Sequence, residues 1–578
     1  MKNGTGLQIG LWMKPSNILL TLLIAAFTVG MGWAAFQRTP ADSHPLSESV
    51  PSGALLYLEA KDFSSLLSDW NRSPEKRQWL GSSNYQVFSR SRLLLRLRDA
   101  GNQFATAAGL PPDLNFLAQI AGNESALALY DIGKLQFIYI TRLPSASAMQ
   151  NQLWQTRAKF ETRSAAGTTF YLRRDPESQR EIEFAVHENY LLLATREDLM
   201  ASALQLMAGG KDRAIEAEPW FSQSVAAAGP VGDIRMVLNL EKIVPSPYFR
   251  SYWVQQNVSD MKAYVAAVSD LFRSGKEYRE ERVLLKKNGD AASTSERGEE
   301  VSDLVRMVPA GVGIYEAQLC PSIDPCLDVL ETKILAPHSG SIPPQQLAPG
   351  AQLTSGETGS SSDLETRIDQ APAQHRSDDD GTVALKNLLQ KSQVNAVLHL
   401  QSTERDPASV FVKIHSAVAL SGSSDWDEVA ARTALATFIR PNLTASQLGV
   451  AWKQASGYYE LDGLHHLLAA VRGKYLIVSD DPAMISGVLA NLNRKSDLKP
   501  ATFVAEFDHR HERNNFARLV TLIDRPDMNA SGGARQPQFL SENIASLSAT
   551  LAAVSSEKIV VRDSGDRVFQ TVTYQWAQ

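Results

Sequence analysis

Val50-Pro-Ser-Gly-Ala-Leu-Leu-Tyr57, which runs on into Leu58-Glu59, returns later in the chain as Val308-Pro-Ala-Gly-Val-Gly-Ile-Tyr315, an offset of 258 residues. A second stretch, Asn189-Tyr190-Leu-Leu-Leu-Ala-Thr-Arg-Glu-Asp198, returns as Lys474-Tyr475-Leu-Ile-Val-Ser-Asp-Asp481, an offset of 285. Two weaker matches keep the same order. Met236–Leu240 is set against Phe503–Phe507, with Phe249 facing Phe516, and Val265–Ser269 is set against Leu551–Ser555. Repeats in constant order indicate a duplicated domain. The offset grows by 27 residues between the first two matches, and residues 337–381 offer a place for most of that excess. That segment, with SGSIPPQQLAPG and DDDG, has the Pro/Gly/Ser-rich composition of a chain that cannot repay ordering. The expected organisation is copy 1 over 50–300 and copy 2 over 304–578, with a disordered insertion at 337–381. The polar run Lys287–Glu300 joins them.

Local patterns give the content of each copy. Ala54–Glu59 reads as a strand, and Asp62 as the cap of a helix with Phe63, Leu66, Leu67 and Trp70 on one stripe. Ala126–Tyr130 and Leu135–Thr141 read as a hairpin around Asp131-Ile-Gly133, with a helix over Ser145–Arg157 after it. Lys159–Glu161, Thr169–Arg173, Glu181–His187 and Tyr190–Ala194 form a meander, closed by a helix starting near Asp198. Leu448–Ala451, Tyr458–Leu461, Leu467–Val471 and Tyr475–Ser479 repeat it, and there Asp481 caps a helix whose first residue is Pro482. Strands in runs with helices between them are α+β, mainly antiparallel.

The rest of the chain places these copies. Of 578 residues, 44% are hydrophobic and 21% charged, the balance of a globular protein and not of a disordered chain or multi-spanning transporter. The net charge of −6 gives no electrostatic reason to expect nucleic acid. Ile18–Phe36, ILLTLLIAAFTVGMGWAAF, is uncharged and long enough to cross most of a bilayer core. Lys2 and Lys14 before it favour a cytoplasmic N-terminus. A cleavable signal peptide is the competing reading, but the apolar run is too long for one and no clean A-x-A site follows. The expectation is a cytoplasmic tail (1–16), one transmembrane anchor (17–36), a linker (37–49) and an exported bulk on the outer face of the inner membrane.

Cys320 and Cys326, in CPSIDPC, are the only cysteines. In an exported chain such a pair most simply forms a local disulfide, and so short a loop stabilises by roughly 2 kcal/mol. The spacing is not the redox C-x-x-C, and no His or Cys lies beside the pair to complete a zinc site.

An apolar anchor, then V-P-x-x-A-L-L-Y-L-E, then a helix with its Phe and Trp, then N-Y-L-L-L-A-T before another helix, resembles domain-of-unknown-function family 3352. Those are bacterial envelope proteins with an N-terminal membrane segment. The resemblance implies an anchored, exported protein, and it brings no catalytic residue.

The remaining polar clusters match no standard catalytic motif. Gly209-Gly-Lys-Asp212 lacks the Ser/Thr of a phosphate loop, Gly311-Val-Gly313 lacks the third Gly of a dinucleotide fingerprint, and no G-x-S-x-G or H-E-x-x-H occurs. Asp508-His-Arg-His-Glu512 is the best metal candidate: on a strand His509 and His511 share a face and need a third ligand. A polar strand end is the simpler reading. Arg90, Arg92, Arg96 and Arg98 flank a leucine run and suit either a solvated helical face or a lipid headgroup. His465-His466 sits at a turn, and Asp378–Asp380 in the insertion. The leading expectation is a non-catalytic binding or scaffold module without cofactor, held at the membrane and meeting an unidentified envelope protein or ligand. The alternatives are a hydrolase of envelope polymers with dispersed residues, and a periplasmic chaperone or carrier. Convergent His or carboxylates in a pocket mark the hydrolase, and a lined cavity between sheet and helices marks the carrier.

Overall fold

The computed structural model describes residues 44–81, 85, 89–90, 92–210, 213–246, 261–287, 298–335, 380–405, 412–439, 451–461, 466–512, 515 and 554–576. The anchor segment, Phe249, Phe516, His465 and most of 337–381 lie outside these residues. No helix among the described residues is long and apolar enough to cross a membrane.

The fold is α+β around one antiparallel sheet of twenty strands. The first half contributes β1 (Leu56–Lys61), β2 (Glu124–Asp131), β3 (Gln136–Arg142), β4 (Glu161–Ala165), β5 (Thr168–Arg174), β6 (Glu181–His187), β7 (Tyr190–Ala194), β8 (Ile234–Asn239), β9 (Tyr264–Arg273) and β10 (Glu277–Lys286). The second half contributes β11 (Ile314–Leu319), β12 (Val394–Arg405), β13 (Val412–Gly422), β14 (Trp452–Gln454), β15 (Tyr459–Leu461), β16 (Leu467–Arg472), β17 (Tyr475–Ser479), β18 (Phe503–Asp508), β19 (Val554–Asp563) and β20 (Arg567–Trp576). Pairing gives the spatial order 4-5-6-7-3-2-1-8-9-10 in one half and 14-15-16-17-13-12-11-18-19-20 in the other.

Register makes the halves comparable residue by residue. Tyr57 stands opposite Ala128, Ala128 opposite Ile138, and Ile138 opposite Ala194. From Tyr315 the same path runs through Leu400 and Ala417 to Ser479. Tyr190 and Tyr475, four residues before those endpoints, therefore open equivalent strands. The residue after each first strand also behaves alike: Asp62 donates its backbone N–H to Asn123 O, and Cys320 donates to Asn395 O.

The weaker matches fall on equivalent strands in a different register. Tyr57 faces Val237 while Tyr315 faces Glu506, so Val237 corresponds to Glu506 and not to Val504. A two-residue slip keeps every side chain on its own face, so alternation alone cannot detect it. The 265–269 match is displaced by four residues, since it sets Val268 against Val554 and register sets it against Lys558. Only about half of the length excess falls in the crossover that contains 337–381; Tyr57 to Ala128 spans 71 residues and Tyr315 to Leu400 spans 85.

The two copies are not separate sheets. β10 and β20 pair antiparallel from Glu277–Gln575 to Leu285–Arg567, edge to edge. Following register outward, Val283 corresponds to Thr573, so Glu281 corresponds to the residue it faces, Thr571. A local two-fold axis passes between them.

Helices cover both faces. On one, Phe63–Arg72, Arg92–Ala108 and Leu114–Ile120 lie over the first half, and Ile323–Leu330, the π turn Glu331–Leu335, Asp380–Lys391 and Glu428–Ile439 over the second. On the other lie Glu197–Met207 and Pro219–Ala227, then Gly298–Val305 and Pro482–Ala490. Gly298–Val305 begins inside the polar run read as a join and packs on β11 and β12, so it belongs to the second half.

The helix expected over Ser145–Arg157 is broken into Ser145–Ala148 and Gln152–Gln155. Asn151 causes the break: its Nδ2 donates to Ala148 O (2.6 Å), and its Oδ1 accepts from Trp154 N–H (2.8 Å). The helix near Asp198 starts at Glu197 without a side-chain cap, because its N-cap is Arg196, whose side chain has no acceptor; Asp198 lies in the first turn and pairs with Arg196. Asp481 does cap its helix, accepting from Met484 N–H (2.7 Å). Of the strand expected at Leu448–Ala451 only Ala451 lies within the described residues, just before the strand Trp452–Gln454.

Candidate ligand cavity

A cavity of about 410 Å³ opens between the sheet and the helices of the first half. Its floor is one face of four adjacent strands: Leu58 and Ala60 of β1, Leu127 and Leu129 of β2, Phe137 and Tyr139 of β3, and Leu193 of β7. Alternation sends their neighbours Tyr57, Ala126, Ala128, Ile138 and Leu192 to the opposite core. The roof comes from Phe63, Phe104, Phe116 and Leu117.

The roof is thin for reasons visible in its sequence. Ala100, Gly101 and Pro112 present little or no side chain to the space. Of the stripe Phe63, Leu66, Leu67 and Trp70, only Leu66 is buried and Trp70 is 45% exposed. The helix Arg92–Ala108 stops at Gly109, whose φ of +74° is a left-handed end that favours glycine.

Polar groups in the wall are mostly satisfied within the protein. Tyr139 Oη donates to Ile120 O (2.8 Å), Ser125 and Thr141 hydroxyls share a bond (2.7 Å), and Thr195 Oγ1 accepts from Phe137 N–H (2.9 Å). Burial pushes the Tyr139 phenol above its ordinary pKa, so it stays neutral. Glu181 is held by Arg174 (Nε to Oε1, 2.8 Å). Two wall groups are left over among the described residues: Arg180, half-buried and in no ion pair, and Gln103 Oε1, buried with no hydrogen-bond partner.

The second half shows what else the same positions can hold. By register Leu58, Leu127, Leu129 and Phe137 correspond to Glu316, His399, Gln401 and Ser416. His399 is buried there, and burial together with Lys333 lowers its pKa to about 4. The opposite face shows the reverse exchange. Glu59, Arg235 and Asp270, adjacent across β1, β8 and β9, correspond to Ala317, Val504 and Val560. Arg235 and Asp270 form a buried fork, with Nε–Oδ1 and Nη2–Oδ2 both 2.8 Å.

The residues singled out in the sequence lie elsewhere. Asp508 ends β18 and its Oδ1 accepts from Arg510 and His511 N–H groups (2.9 and 3.1 Å), so residues 509–512 form a helical turn and not a strand. The two imidazoles are thereby sent apart. His509 lies 3.9 Å from Glu557 on β19, while His511 Nε2 bonds Ser402 Oγ on β12 (2.9 Å). Among the described residues no group of three or more His, Cys, Asp or Glu is placed to hold a metal ion. Cys320 and Cys326 are joined in a disulfide that ties the end of β11 to the helix Ile323–Leu330. Arg90 and Arg98 are exposed, His466 bonds Glu460 (2.8 Å), and Asp380 opens a helix.

Ser402 and His511 resemble a nucleophile with its base, but the relay is wrong. Glu512 Oε1 lies 3.7 Å from the same Nε2 that faces Ser402, whereas an orienting carboxylate must hold the other ring nitrogen. Glu512 is spent on Thr403, accepting from its N–H (3.2 Å) and Oγ1 (2.5 Å). It fills the space over Gly313, where any Cβ would overlap its carboxylate.

No family model and no curated protein matches the chain. Among solved structures, TP0453 in crystal form IV is similar at 13% identity over 42% of this chain and 81% of its own, with a TM-score of 0.25. Form III of the same protein gives 14% and 0.24. Likeness at that level carries no argument about this fold or its role.

Proposed function

We propose that this is a non-catalytic envelope protein, anchored by Ile18–Phe36 with its bulk outside the cytoplasm, whose first half carries an apolar ligand. Membership of the domain-of-unknown-function family 3352 belongs to the same reading. One observation supports the carrier role above the others. The fold accepts Glu316, His399, Gln401 and Ser416 at four positions of the second half, so stability does not demand the Leu58, Leu127, Leu129 and Phe137 of the first. Apolar residues that the fold does not require, lining open space, are what a small-molecule site consists of. A hydrolase lacks comparable support, because among the described residues the Ser402–His511 pair has no correctly placed carboxylate, and it lies outside the cavity.

Native mass spectrometry of the full-length chain, purified from membranes and released from detergent micelles, tests this. The wild type should retain a lipid-sized adduct at near one per chain, and Leu129→Trp, which fills the cavity, should lose it with an unchanged circular dichroism spectrum. Absence of any adduct other than detergent, or an adduct indifferent to Leu129→Trp, would sink the carrier reading.

A further inference from the structure

Among the described residues Arg180 is the one charged group of the cavity wall whose charge is unbalanced. Its neighbour Glu181 is neutralised by Arg174, and no carboxylate among the described residues pairs with Arg180 itself. It stands in the loop that enters β6, whose Ile182 also lines the cavity, so charged and apolar wall lie close together in the chain.

We infer that the ligand is an amphiphile with one hydrocarbon chain and one anionic head, the head held by Arg180. This rests on the carrier reading and adds the ligand's chemical class. An arginine guanidinium presents a planar fork of donors that matches a carboxylate or a phosphate. Half-buried beside an apolar wall, it gains more from an anion than it does on an open surface, because water screens the pair less there. The other leftover group, Gln103 Oε1, is an acceptor and does not compete for the anion. Size selects the rest of the molecule. About 410 Å³ is near the lower end of the roughly 300–1,000 Å³ range of small-molecule pockets, which suits one chain and not the two of a bilayer phospholipid.

The remaining wall offers no rival for the head. The hydroxyls of Tyr139, Ser125 and Thr195 already have partners inside the protein. A neutral amphiphile would leave Arg180 as it is in the free protein and gain nothing from it.

Titration of the delipidated full-length chain with palmitate, hexadecyl phosphate and hexadecanol, read by native mass spectrometry, separates the outcomes. Palmitate or hexadecyl phosphate should bind at least tenfold more tightly than hexadecanol, and the tighter of the two identifies the head. Arg180→Gln should lose that preference while binding hexadecanol as before, and Arg180→Lys should restore part of it. Equal binding of hexadecanol and both anions by the wild type would overturn the assignment and leave the carrier reading standing. Loss of hexadecanol along with the anions in Arg180→Gln would also overturn it, since Arg180 would then be holding the wall and not the ligand. If none of the three binds the wild type, the carrier reading fails as well.

Discussion

Glu183 on β6 is fully buried, and neither of its carboxylate oxygens has a hydrogen-bond partner among the described residues. Desolvation, then the charges of Glu181, Glu197 and Asp198, push its pKa up to about 9. The folded protein therefore keeps a proton that the unfolded chain releases near pH 4.5, so stability falls as pH rises between those values, at about 1.4 kcal/mol per unit. Register pairs this position with Leu468 of the second half. Glu183→Leu should remove that slope: denaturant midpoints at pH 5 and pH 8 should differ less in the variant than in the wild type, and an equal difference would refute it. Arg235 and Asp270 offer a second comparison, because the duplicate already carries Val504 and Val560 there. Replacing either residue alone by Val should cost about 3–5 kcal/mol by stranding the other charge, and replacing both should be near neutral or stabilising. Urea titrations of the three variants check this; additive losses in the double variant would contradict it.

At the scale of elements, strands were easier to read than their breaks. The alternation of Glu181–His187 and the short apolar run Tyr190–Ala194 carry their strand signal in the residues themselves. The interruption at Asn151 was hidden because a single side chain turns the backbone aside, against an otherwise helical pattern. The placement of His509 and His511 is open in the sequence for the same reason, since Asp508 can end a strand or cap a turn and the residues around it do not choose. The cavity was still less visible. Leu58, Leu127, Leu129 and Phe137 look like ordinary core, and what makes them a wall is the shortage of side chains opposite, at Ala100, Gly101 and Pro112. The usable signal was the comparison of copies, where those leucines meet Glu316, His399 and Gln401. It needed the register, which the sequence matches place correctly near Tyr190 and two residues off near Val237.

At the scale of the whole molecule, β20 is hydrogen-bonded on both sides, to β19 of its own half and to β10 of the other. The seam also carries an ion pair, Lys286 to Asp563 at 2.6 Å. Damage to β20 should therefore be felt in both halves. Val572, opposite Glu280 and Ile559, is buried; Val572→Pro removes a donor from the ladder and should lower amide-exchange protection in β9 and β10 at least tenfold, as well as in β19. Protection lost in β19 alone would mean that the first half holds its edge without its partner. Which strands meet at the seam could not be read beforehand, because β10 and β20 are both polar-apolar strands with many acceptable neighbours.

The two-fold seam has a consequence for synthesis on the ribosome. β10 is complete long before β20 emerges, so each nascent chain exposes an unpaired strand edge during that interval, and edges of that kind recruit one another. Because the seam is two-fold, β10 of one nascent chain fits β10 of another in the same arrangement. In that arrangement Glu280 and Arg282 of the two chains would attract across the seam, and the residue at the axis opposes them. In the finished protein Glu281 meets Thr571. Between two nascent chains it would meet a second Glu281, and like charges directly opposite are destabilising. A glutamate at that one position biases the waiting edge against its own kind until the threonine of the same chain arrives.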